Sequence, residues 1–532
     1  MGSRLQLLGL CVLSLISLGC ITVVSQNEEG TVLIDGRVGI ASIDDDFICA
    51  TLDWWPPEKC DYGTCSWGTA SLLNLDINNN ILLNAVKAFS PLKLRLGGTL
   101  QDKVIYDVGD SNHPCTQFIK NGSQLFSFSQ GCLPMPRWDE LNRFFKQAGA
   151  VIIFGLNALN GRTIASDGSA VGAWNSTNAA SLIRYSVNKG YNIYAWELGN
   201  ELSGNGVGTR VAAAQYASDV IELHSVVQDI YRGFKSKPQI IAPGGFFDGK
   251  WYKELVDKTS GSLDIVTHHI YNLGPGVDSH LVEKILNPSY LDGEMNTFSD
   301  LKNILDRSAT SATAWVGEAG ELITVAIIMY LDQLGMASKY GTKTYCRQTL
   351  IGGNYGLLDT TTFVPNPDYY SALLWNQLMG RNVLSTNFTG TKKIRAYGHC
   401  AKQSEGIVVL LINLDGNTTV NVHLTTETTA SKRTWTLNHQ HKSPRTRFAR
   451  IPRGSRQTVG TQSTREEYHL TAKDGDLHSQ TMLLNGRILA VNSSGNIPLL
   501  EPISVNLVEP IRVAPFSIVF AHIPSIRVPA CI

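Results

Sequence analysis

Two glutamate residues near the ends of apolar runs have the type and spacing to carry out acid–base chemistry. Glu201 closes the stretch YAWELGNE with Asn200 directly before it, and Glu318 follows Gly317 in the stretch ATAWVGEAG. Two carboxyl groups that face each other can hydrolyse a glycosidic bond, one as the nucleophile and the other as the general acid and base. The alternative is that both are solvated loop residues. Glu197 lies on the apolar run itself, where we expect an ion pair in the core.

The elements that must position these glutamates form a series of short apolar runs separated by amphipathic stretches. Most of the runs lack period-2 alternation, which is typical of parallel strands that are buried on both faces. The amphipathic stretches between them predict helices. Eight strands alternating with helices predict an α/β fold class, a (β/α)8 TIM barrel. The eight runs span residues 47–53, 92–98, 150–157, 194–200, 239–245, 263–271, 312–320 and 345–353.

The fourth and seventh runs are the ones that end in Glu201 and Glu318. In TIM barrels, catalytic residues come from the carboxyl ends of the strands, where the loops build the site. Ends that lie three strands apart in a ring of eight can face each other across the barrel mouth. We therefore expect the two carboxyl groups to lie about 5–5.5 Å apart, the separation that retaining hydrolysis requires.

The sequence changes character after a last helical stretch at 369–380. The runs that follow are β-rich and are separated by Asn/Gly turns without a helical period, which predicts a C-terminal antiparallel β-sandwich domain. The predicted domains are a signal peptide at 1–25, an N-terminal hairpin at 26–46 that joins the sandwich, a catalytic barrel at 47–380 and the β-sandwich at 381–532.

The N-terminus has the features of a secretory signal peptide. Arg4 precedes an apolar run from Leu5 to Val24, and the less favoured interpretation is a transmembrane anchor. Eight cysteines follow the signal, an even number that favours disulfides without defining their pairing. We therefore expect the protein in the secretory pathway, either extracellular or in the cell wall, or in a vacuole or lysosome. Five N-glycosylation sequons agree with that route, at Asn121, Asn175, Asn387, Asn417 and Asn492.

The balance of charged residues indicates which classes of partner the protein can bind. Lys plus Arg and Asp plus Glu each number 45, so the net charge offers no bulk electrostatic case for binding nucleic acid. The stretch 432–465 has nine Lys or Arg and no acidic residue, which indicates a contact with an acidic polysaccharide or a membrane surface, or else a solvated loop. No cofactor is expected, and no metal, because neither a second Cys pair nor His follows Cys60 and Cys65 at zinc spacing. The oligomeric state stays open.

Seven stretches of the chain carry a family resemblance. They are ATLDWWPPEKCDYG (50–63), LRLGGTLQD (94–102), WELGNE (196–201), ILNPSYLD (285–292), WVGEAG (315–320), YLDQLGMASKYGTKTYCRQTLIGGNYGLL (330–358) and PNPDYYSALLW (365–375). Together they resemble the plant heparanase-like proteins of glycoside hydrolase family 79. The resemblance implies a barrel plus sandwich and a retaining β-glucuronidase that acts on an acidic glycan or a glucuronide. It also implies that Glu201 is the proton donor and Glu318 the nucleophile.

The same resemblance assigns positions around the barrel mouth. The loop GGNYG receives the glucuronate carboxylate through main-chain N–H groups and a tyrosine hydroxyl, which bind an anion without adding a formal charge. Tyr271 either donates to Glu318 or caps the barrel, and Arg95 either pairs with a catalytic carboxylate or fills a polar layer. The substrate-binding residues that the resemblance implies are Asp53, Thr99, Asn200, His269, Tyr271, Gly353, Asn354 and Tyr355.

One stretch departs from the family pattern. After Glu318 the family continues with a loop rich in Gly, Asn and Tyr, whereas residues 319–329 read AGELITVAIIM and are apolar and shorter. This departure motivates an alternative, a catalytically impaired glycan-binding protein. A third hypothesis keeps catalysis but changes the sugar, as in an arabinofuranosidase of the same clan. The GGNYG loop argues against it, because a neutral sugar needs no carboxylate receptor.

Overall fold

The computed structural model describes residues 26–61, 63–109, 115–274, 278–320, 326–428, 431–433 and 463–532, so the predicted signal peptide at 1–25 lies outside it. The strands are β1 (Gln26–Ser42), β2 (Ile48–Asp53), β3 (Lys93–Gly97), β4 (Val104–Asp107), β5 (Gly131–Pro134), β6 (Val151–Leu156), β7 (Thr163–Ile164), β8 (Ala170–Val171), β9 (Ile193–Leu198), β10 (Gln239–Phe246), β11 (Ile265–Ile270), β12 (Thr313–Ala319), β13 (Tyr345–Arg347), β14 (Met379–Thr389), β15 (Ile394–Ala401), β16 (Ile407–Asn413), β17 (Thr418–Thr428), β18 (Ser431–Arg433), β19 (Thr464–Ala472), β20 (Met482–Leu484), β21 (Arg487–Ile488), β22 (Ile503–Asn506), β23 (Ile511–Val513) and β24 (Ile518–Ile523).

Helices lie mainly between the strands of the first two thirds of the chain. The α-helices are α1 (Asn80–Lys87), α2 (Met135–Ala148), α3 (Thr177–Asn188), α4 (Ala213–Ile230), α5 (Gly249–Lys258), α6 (Leu281–Ile285), α7 (Pro288–Leu291), α8 (Met295–Arg307), α9 (Ala326–Lys339) and α10 (Pro367–Leu378). Local capping explains several helix starts. The side chain of Asn79 accepts two main-chain N–H groups of α1, and Asp248 does the same for α5.

Eight parallel strands close into a barrel in the chain order β2, β3, β6, β9, β10, β11, β12 and β13, with β13 pairing back to β2. Each predicted apolar run overlaps one of these strands, and a C-terminal sheet domain follows, so the predicted fold class is confirmed. The helices pack their apolar faces against the barrel strands in one large core. Closure of the barrel brings the carboxyl ends of all eight strands to a single mouth.

A buried lysine closes the opposite end of the barrel, where the strands begin. Lys93 opens β3 and is 0% exposed. Its Nζ donates to Asp44 Oδ2 at 2.9 Å, to Asp46 Oδ1 at 2.8 Å and to Thr344 Oγ1 at 2.7 Å. It also lies 4.6 Å from the ring centroid of Trp315. Two carboxylates, a hydroxyl and an aromatic face thus compensate the loss of water around a buried ammonium group.

All eight cysteines beyond the predicted signal peptide form disulfides, so the expectation of disulfides is confirmed and their pairing is now defined. Cys49 on β2 and Cys346 on β13 join the two strands that close the barrel. The remaining disulfides are Cys60–Cys65, Cys115–Cys132 and Cys400–Cys531.

The N-terminal segment was predicted to be a hairpin at 26–46, and this prediction is wrong. Residues 26–42 form the single long strand β1, which is inserted into the C-terminal sheet. It runs antiparallel to β14 and parallel to β17, with Gln26 opposite Thr418. A register shift between Asp35 and Gly39 takes up the turn-like residues that favoured a hairpin.

The C-terminal domain contains a mostly antiparallel 12-stranded sheet with the path β18-β17-β1-β14-β15-β16-β24-β19-β20-β21. Off this path, β22 pairs with β19 and β23 pairs with β17. The sheet encloses its own apolar core, which includes Val32, Val409, Val420 and Val519. It is fastened to the barrel through Asp332 on α9, which accepts Arg395 Nε at 2.7 Å and Tyr397 Oη at 2.5 Å.

Several surface features bear on the sequence predictions. All five sequon asparagines are exposed. Most of the basic stretch lies outside the described residues, at 434–462. Arg465 at its end is buried and binds Glu467 at 2.6 Å and several main-chain carbonyls, so it does not belong to a basic surface. Among the described residues, no helix has the length and apolar character that crossing a membrane requires.

Candidate active site

Glu201 lies in a tight turn just past the end of β9. The strand ends at Leu198, and Glu201 has a φ of 55°, in the left-handed region that non-glycine residues rarely adopt. Its main-chain N–H donates to Gly244 O at 2.6 Å, which anchors the turn to β10. The turn therefore leaves the strand sharply and holds a buried carboxyl group at the barrel mouth.

Glu318 reaches the same mouth because β12 contains a bulge. His268 on β11 is opposite Val316, but the next residue, His269, is opposite Glu318, so Gly317 is the extra residue. A side chain at Gly317 would approach Thr267 Cβ to 3.0 Å, which explains why the bulge takes glycine. The bulge changes which residue of β12 faces the barrel mouth.

The structure brings the predicted pair together. Glu201, His269 and Glu318 each place one oxygen or nitrogen atom within 4.8 Å of the others. His269 Nδ1 lies 3.0 Å from Glu201 Oε1, and Tyr271 Oη donates to Glu318 Oε1 at 2.5 Å. Of the two interpretations of Tyr271, the contact with Glu318 is therefore the one observed.

Arg95 links the carboxyl groups beneath the mouth. It donates to Glu318 Oε2 at 2.9 Å, to Glu197 Oε2 at 2.6 Å and to Asn200 Oδ1 at 2.9 Å. The expected core ion pair of Glu197 is thus confirmed, and Thr267 Oγ1 donates to its other oxygen at 3.1 Å. Arg95 both pairs with a predicted catalytic carboxylate and fills a polar layer of the barrel.

The environments of the two glutamates differ in a way that separates their roles. Burial raises the pKa of Glu201 to about 7, against the opposing charge of Arg95. Burial also lowers the pKa of His269 to about 4, so this imidazole is neutral near neutral pH. Glu318 instead accepts hydrogen bonds from Arg95 and Tyr271, contacts that suit a carboxylate.

Asp53 and Thr99 lie at the mouth on the side of β2 and β3. Burial and the charge of Glu318 raise the pKa of Asp53 well above its ordinary value, so its carboxyl group holds its proton more tightly than an ordinary aspartic acid does. Its Oδ2 is buried and has no hydrogen-bond partner. Thr99 is half-buried and follows Gly98, at which a Cβ would lie 2.0 Å from Asp53 Oδ1. The carboxyl group of Asp53 therefore lies against the main chain of Gly98, directly before the turn that begins at Thr99.

The loop containing Gly353, Asn354 and Tyr355 follows β13 and reaches the same region. Gly353 is buried, Asn354 is exposed, and the ring of Tyr355 packs edge-on against Trp67 with centroids 6.1 Å apart. Burial and then the charges of Asp53 and Glu318 raise the pKa of Tyr355. The neutral phenol of Tyr355 is therefore close enough to Asp53 and Glu318 for their charges to affect its pKa.

Sequence reasoning missed Asp102 as a member of the site. Its Oδ1 accepts Ala158 N at 2.7 Å and its Oδ2 accepts Asn200 N at 2.8 Å. The residue ends the stretch LRLGGTLQD, which contributed to the family resemblance, but a lone Asp after a strand gives no indication of which main-chain groups it will bind.

Two clusters among the described residues have the spacing of metal ligands, and neither is assigned as a metal site. In the first, Glu201, His269 and Glu318, the guanidinium of Arg95 already provides the positive charge at 2.9 Å from Glu318. In the second, which contains Asp107, the two cysteines are joined in a disulfide.

Comparison with known proteins places the chain in a family. Residues 29–335 match the model for the N-terminal domain of glycosyl hydrolase family 79. The chain is 58% identical to heparanase-like protein 3 of Arabidopsis thaliana, over 98% of each chain. It is 42% identical to the baicalin-β-D-glucuronidase of Scutellaria baicalensis, over 99% of this chain and 98% of that one. A thermostable α-L-arabinofuranosidase from Thermotoga petrophila shares the fold, with a TM-score of 0.60 at 13% identity over 93% of this chain and 99% of that chain. The chain is thus similar to plant heparanase-like proteins and belongs to glycosyl hydrolase family 79.

Proposed function

We propose that this glycoside hydrolase is a retaining β-glucuronidase that removes, or cleaves at, β-linked glucuronic acid in glycans or glucuronides. The observation that carries the proposal is the pair of carboxyl groups at the barrel mouth, which approach within 4.8 Å. A retaining mechanism needs carboxyl groups about 5–5.5 Å apart, whereas inversion needs about 6.5–9.5 Å to admit a water molecule between them and the sugar.

In the first step Glu318 attacks the anomeric carbon while Glu201 protonates the departing oxygen. A carboxyl group with a pKa near 7 still carries its proton at the acidic to neutral pH of a vacuole or apoplast. Arg95 and Tyr271 hold Glu318 in place and stabilise its charge until the bond to carbon forms. In the second step Glu201, now ionised, takes a proton from a water molecule whose oxygen attacks the anomeric carbon and displaces the carboxylate of Glu318, which releases the sugar with its configuration retained.

The choice of glucuronic acid rests on the loop after β13 and on the relatives. Main-chain N–H groups near Gly353 and the hydroxyl of Tyr355 suit a sugar carboxylate, because they add no formal charge beside the two glutamates. Asp53 in its neutral form can donate to a sugar hydroxyl. Arg95 holds the amide oxygen of Asn200, which leaves its amino group as a donor. The name of the Scutellaria relative describes a β-glucuronidase, which supports the same choice of sugar.

We also propose that the protein passes through the secretory pathway. The exposure of all five sequon asparagines and the pairing of eight cysteines support this localisation. The destination, an extracellular space, a cell wall or a vacuole, belongs to the same proposal. Contact of the basic stretch 432–465 with an acidic polysaccharide or a membrane surface remains a proposal as well.

The deciding experiment measures the purified protein on para-nitrophenyl β-glucuronide and records the anomeric configuration of the first product by NMR. We expect β-glucuronic acid as the first product, and Glu318→Gln is expected to abolish turnover. Glu467→Gln, which alters a buried glutamate of the C-terminal sheet, is the matched control and is expected to retain turnover. Binding of glucuronic acid without turnover would favour the glycan-binding alternative, and preference for an arabinofuranoside would contradict the sugar assignment.

A further inference from the structure

Asp102 is a buried carboxyl group at the barrel mouth that the proposed reaction does not use. It lies in the 3-10 turn Thr99–Lys103 directly after β3, and the residue is only 3% exposed. Its two oxygens accept main-chain N–H groups from different loops, Ala158 in the loop after β6 and Asn200 in the loop after β9. Three neighbouring loops of the mouth therefore meet at this one side chain.

The loop after β9 is the one that carries Glu201. The φ of 55° at Glu201 is unfavourable for a residue with a Cβ, and such a conformation persists only where the surrounding structure fixes it. Four main-chain groups of the turn make hydrogen bonds that fix it here: Gly199 N donates to Leu156 O at 3.0 Å, and Glu201 O accepts Val207 N at 2.9 Å. The other two groups are the N–H groups of Asn200 and Glu201. Asn200 N donates to Asp102, and Glu201 N donates to Gly244 O at 2.6 Å.

The loop after β6, which donates to Asp102 through Ala158 N, is itself held by hydrogen bonds. Asn157 Nδ2 donates to Val104 O at 3.0 Å, and Asn157 N donates to Tyr106 Oη at 3.1 Å. These bonds tie that loop to the segment that follows the 3-10 turn. The loops after β6 and β9 are also joined directly, since Gly199 N donates to Leu156 O at 3.0 Å. Asp102 adds a side-chain link that reaches the turn one residue before Glu201.

We propose that Asp102 is a positioning residue for proton transfer, because its carboxyl group holds the Asn200–Glu201 turn in the left-handed conformation that aims the acid at the leaving oxygen. The inference rests on the proposed function, since it assumes that Glu201 protonates a leaving group. Asp102 touches no reacting atom and acts only through the main chain of Asn200.

Displacement of the carboxyl group of Glu201 should lower the cleavage rates of different substrates by different factors. Departure of an acidic phenol needs little protonation, whereas departure of a weakly acidic phenol depends on it, and general acid catalysis contributes about 10²–10⁴-fold. Loss of stability alone would lower the activity on both substrates by one common factor. The ratio of the two activities therefore reports on the position of Glu201.

The test compares para-nitrophenyl and phenyl β-glucuronide, which differ in the acidity of the leaving phenol, using the purified full chain and its Asp102→Asn variant. The asparagine side chain has the same shape, but it presents one acceptor oxygen and turns an N–H donor toward the other main-chain N–H. We expect kcat on phenyl β-glucuronide to fall at least about tenfold more than kcat on the nitrophenyl substrate, with KM little changed.

Asp415→Asn is the matched control. Asp415 also accepts two main-chain N–H groups, from Asn417 at 2.7 Å and Thr418 at 2.8 Å, but it lies in the C-terminal domain and does not bind a loop of the barrel mouth. We expect any loss of activity in this variant to be an equal factor on both substrates. In a Glu201→Gln background, adding Asp102→Asn is expected to leave the substrate ratio unchanged, because the acid is already absent.

The outcomes separate this inference from the proposed function. A wild-type protein that cleaves neither substrate would contradict both. A wild-type protein that cleaves both, while Asp102→Asn keeps the wild-type ratio, would contradict the positioning role alone. If Asp102→Asn does not accumulate as folded protein, Asp102→Ser, which retains one acceptor oxygen, is measured by the same ratio and judged by the same criterion.

Discussion

Replacing Glu201 by glutamine should remove activity and, at higher pH, make the protein more stable. The pKa of this carboxyl group rises from an ordinary 4.5 to about 7 because burial disfavours its ionised form. Each tenfold change in proton affinity is worth about 1.4 kcal/mol. Ionising Glu201 in the folded protein therefore costs about 3 kcal/mol relative to the unfolded chain.

The sign follows from proton binding. Between pH 4.5 and about 7 the folded protein keeps the proton of Glu201 while the unfolded chain has lost it, so the free energy of unfolding of the wild type falls as the pH rises. Glutamine cannot ionise and avoids this loss. The stability of Glu201→Gln relative to wild type should therefore increase by about 3 kcal/mol between pH 4.5 and about pH 8.

Urea unfolding at the two pH values measures this difference through the midpoint and slope of each transition. Glu467→Gln is a control for which we expect the opposite dependence of stability on pH. Although burial opposes it, hydrogen bonds from His469 and Arg465 hold the pKa of Glu467 below its ordinary value, so this carboxylate stabilises the fold as the pH rises. A difference between Glu201→Gln and wild type that does not change with pH would refute the reasoning, because Glu201 would then titrate alike in both states.

Four further outcomes are expected. Tyr355→Phe should lower kcat/KM on a β-glucuronide about ten- to a hundredfold, through loss of one charge-assisted hydrogen bond, and leave any β-glucoside activity nearly unchanged; an equal loss on both would contradict carboxylate recognition. Lys93→Met should lower the free energy of unfolding by about 1–3 kcal/mol in urea without changing kcat, since it removes the hydrogen-bond donor of two partly exposed carboxylates at the far end of the barrel. Replacing Cys49 and Cys346 together by alanine should lower the free energy of unfolding by about 2–4 kcal/mol, and an unchanged melting temperature would show that the bond is dispensable. Enzymatic removal of N-glycans should lower the apparent mass of the protein from a plant host, and no change would count against the secretory route.

The barrel could be predicted because its signal is local. A strand that is covered on both faces is apolar throughout, so each of the eight strands could be located from its own residues. The positions of Glu201 and Glu318 followed from the same runs, since a polar residue at the end of a buried apolar run must lie near a strand end. Here the sequence predicts both the elements and the rim of the barrel on which the site lies.

The parts that could not be predicted depend on long-range contacts. Nothing near Gly317 indicates that the strand slips by one residue there, because the bulge exists only relative to β11. The turn-like residues of 26–46 suggested a hairpin, but pairing with β14 and β17, about 340–390 residues away, decided the outcome. The two backbone partners of Asp102 are likewise set by how three loops meet, which no single stretch encodes.

The position of β1 also constrains how the chain can be made and divided. Gln26 leaves the ribosome long before Thr418, its partner in the parallel ladder, so β1 waits without that neighbour until the barrel has been synthesised. An unpaired strand edge of this length is a site for association with other chains during that interval. A cut near residue 380 would leave β1 attached to the barrel and remove nearly all of β14 and the whole of β15 to β24 from it. The two domains therefore differ in architecture but cannot be separated as two consecutive fragments of the chain.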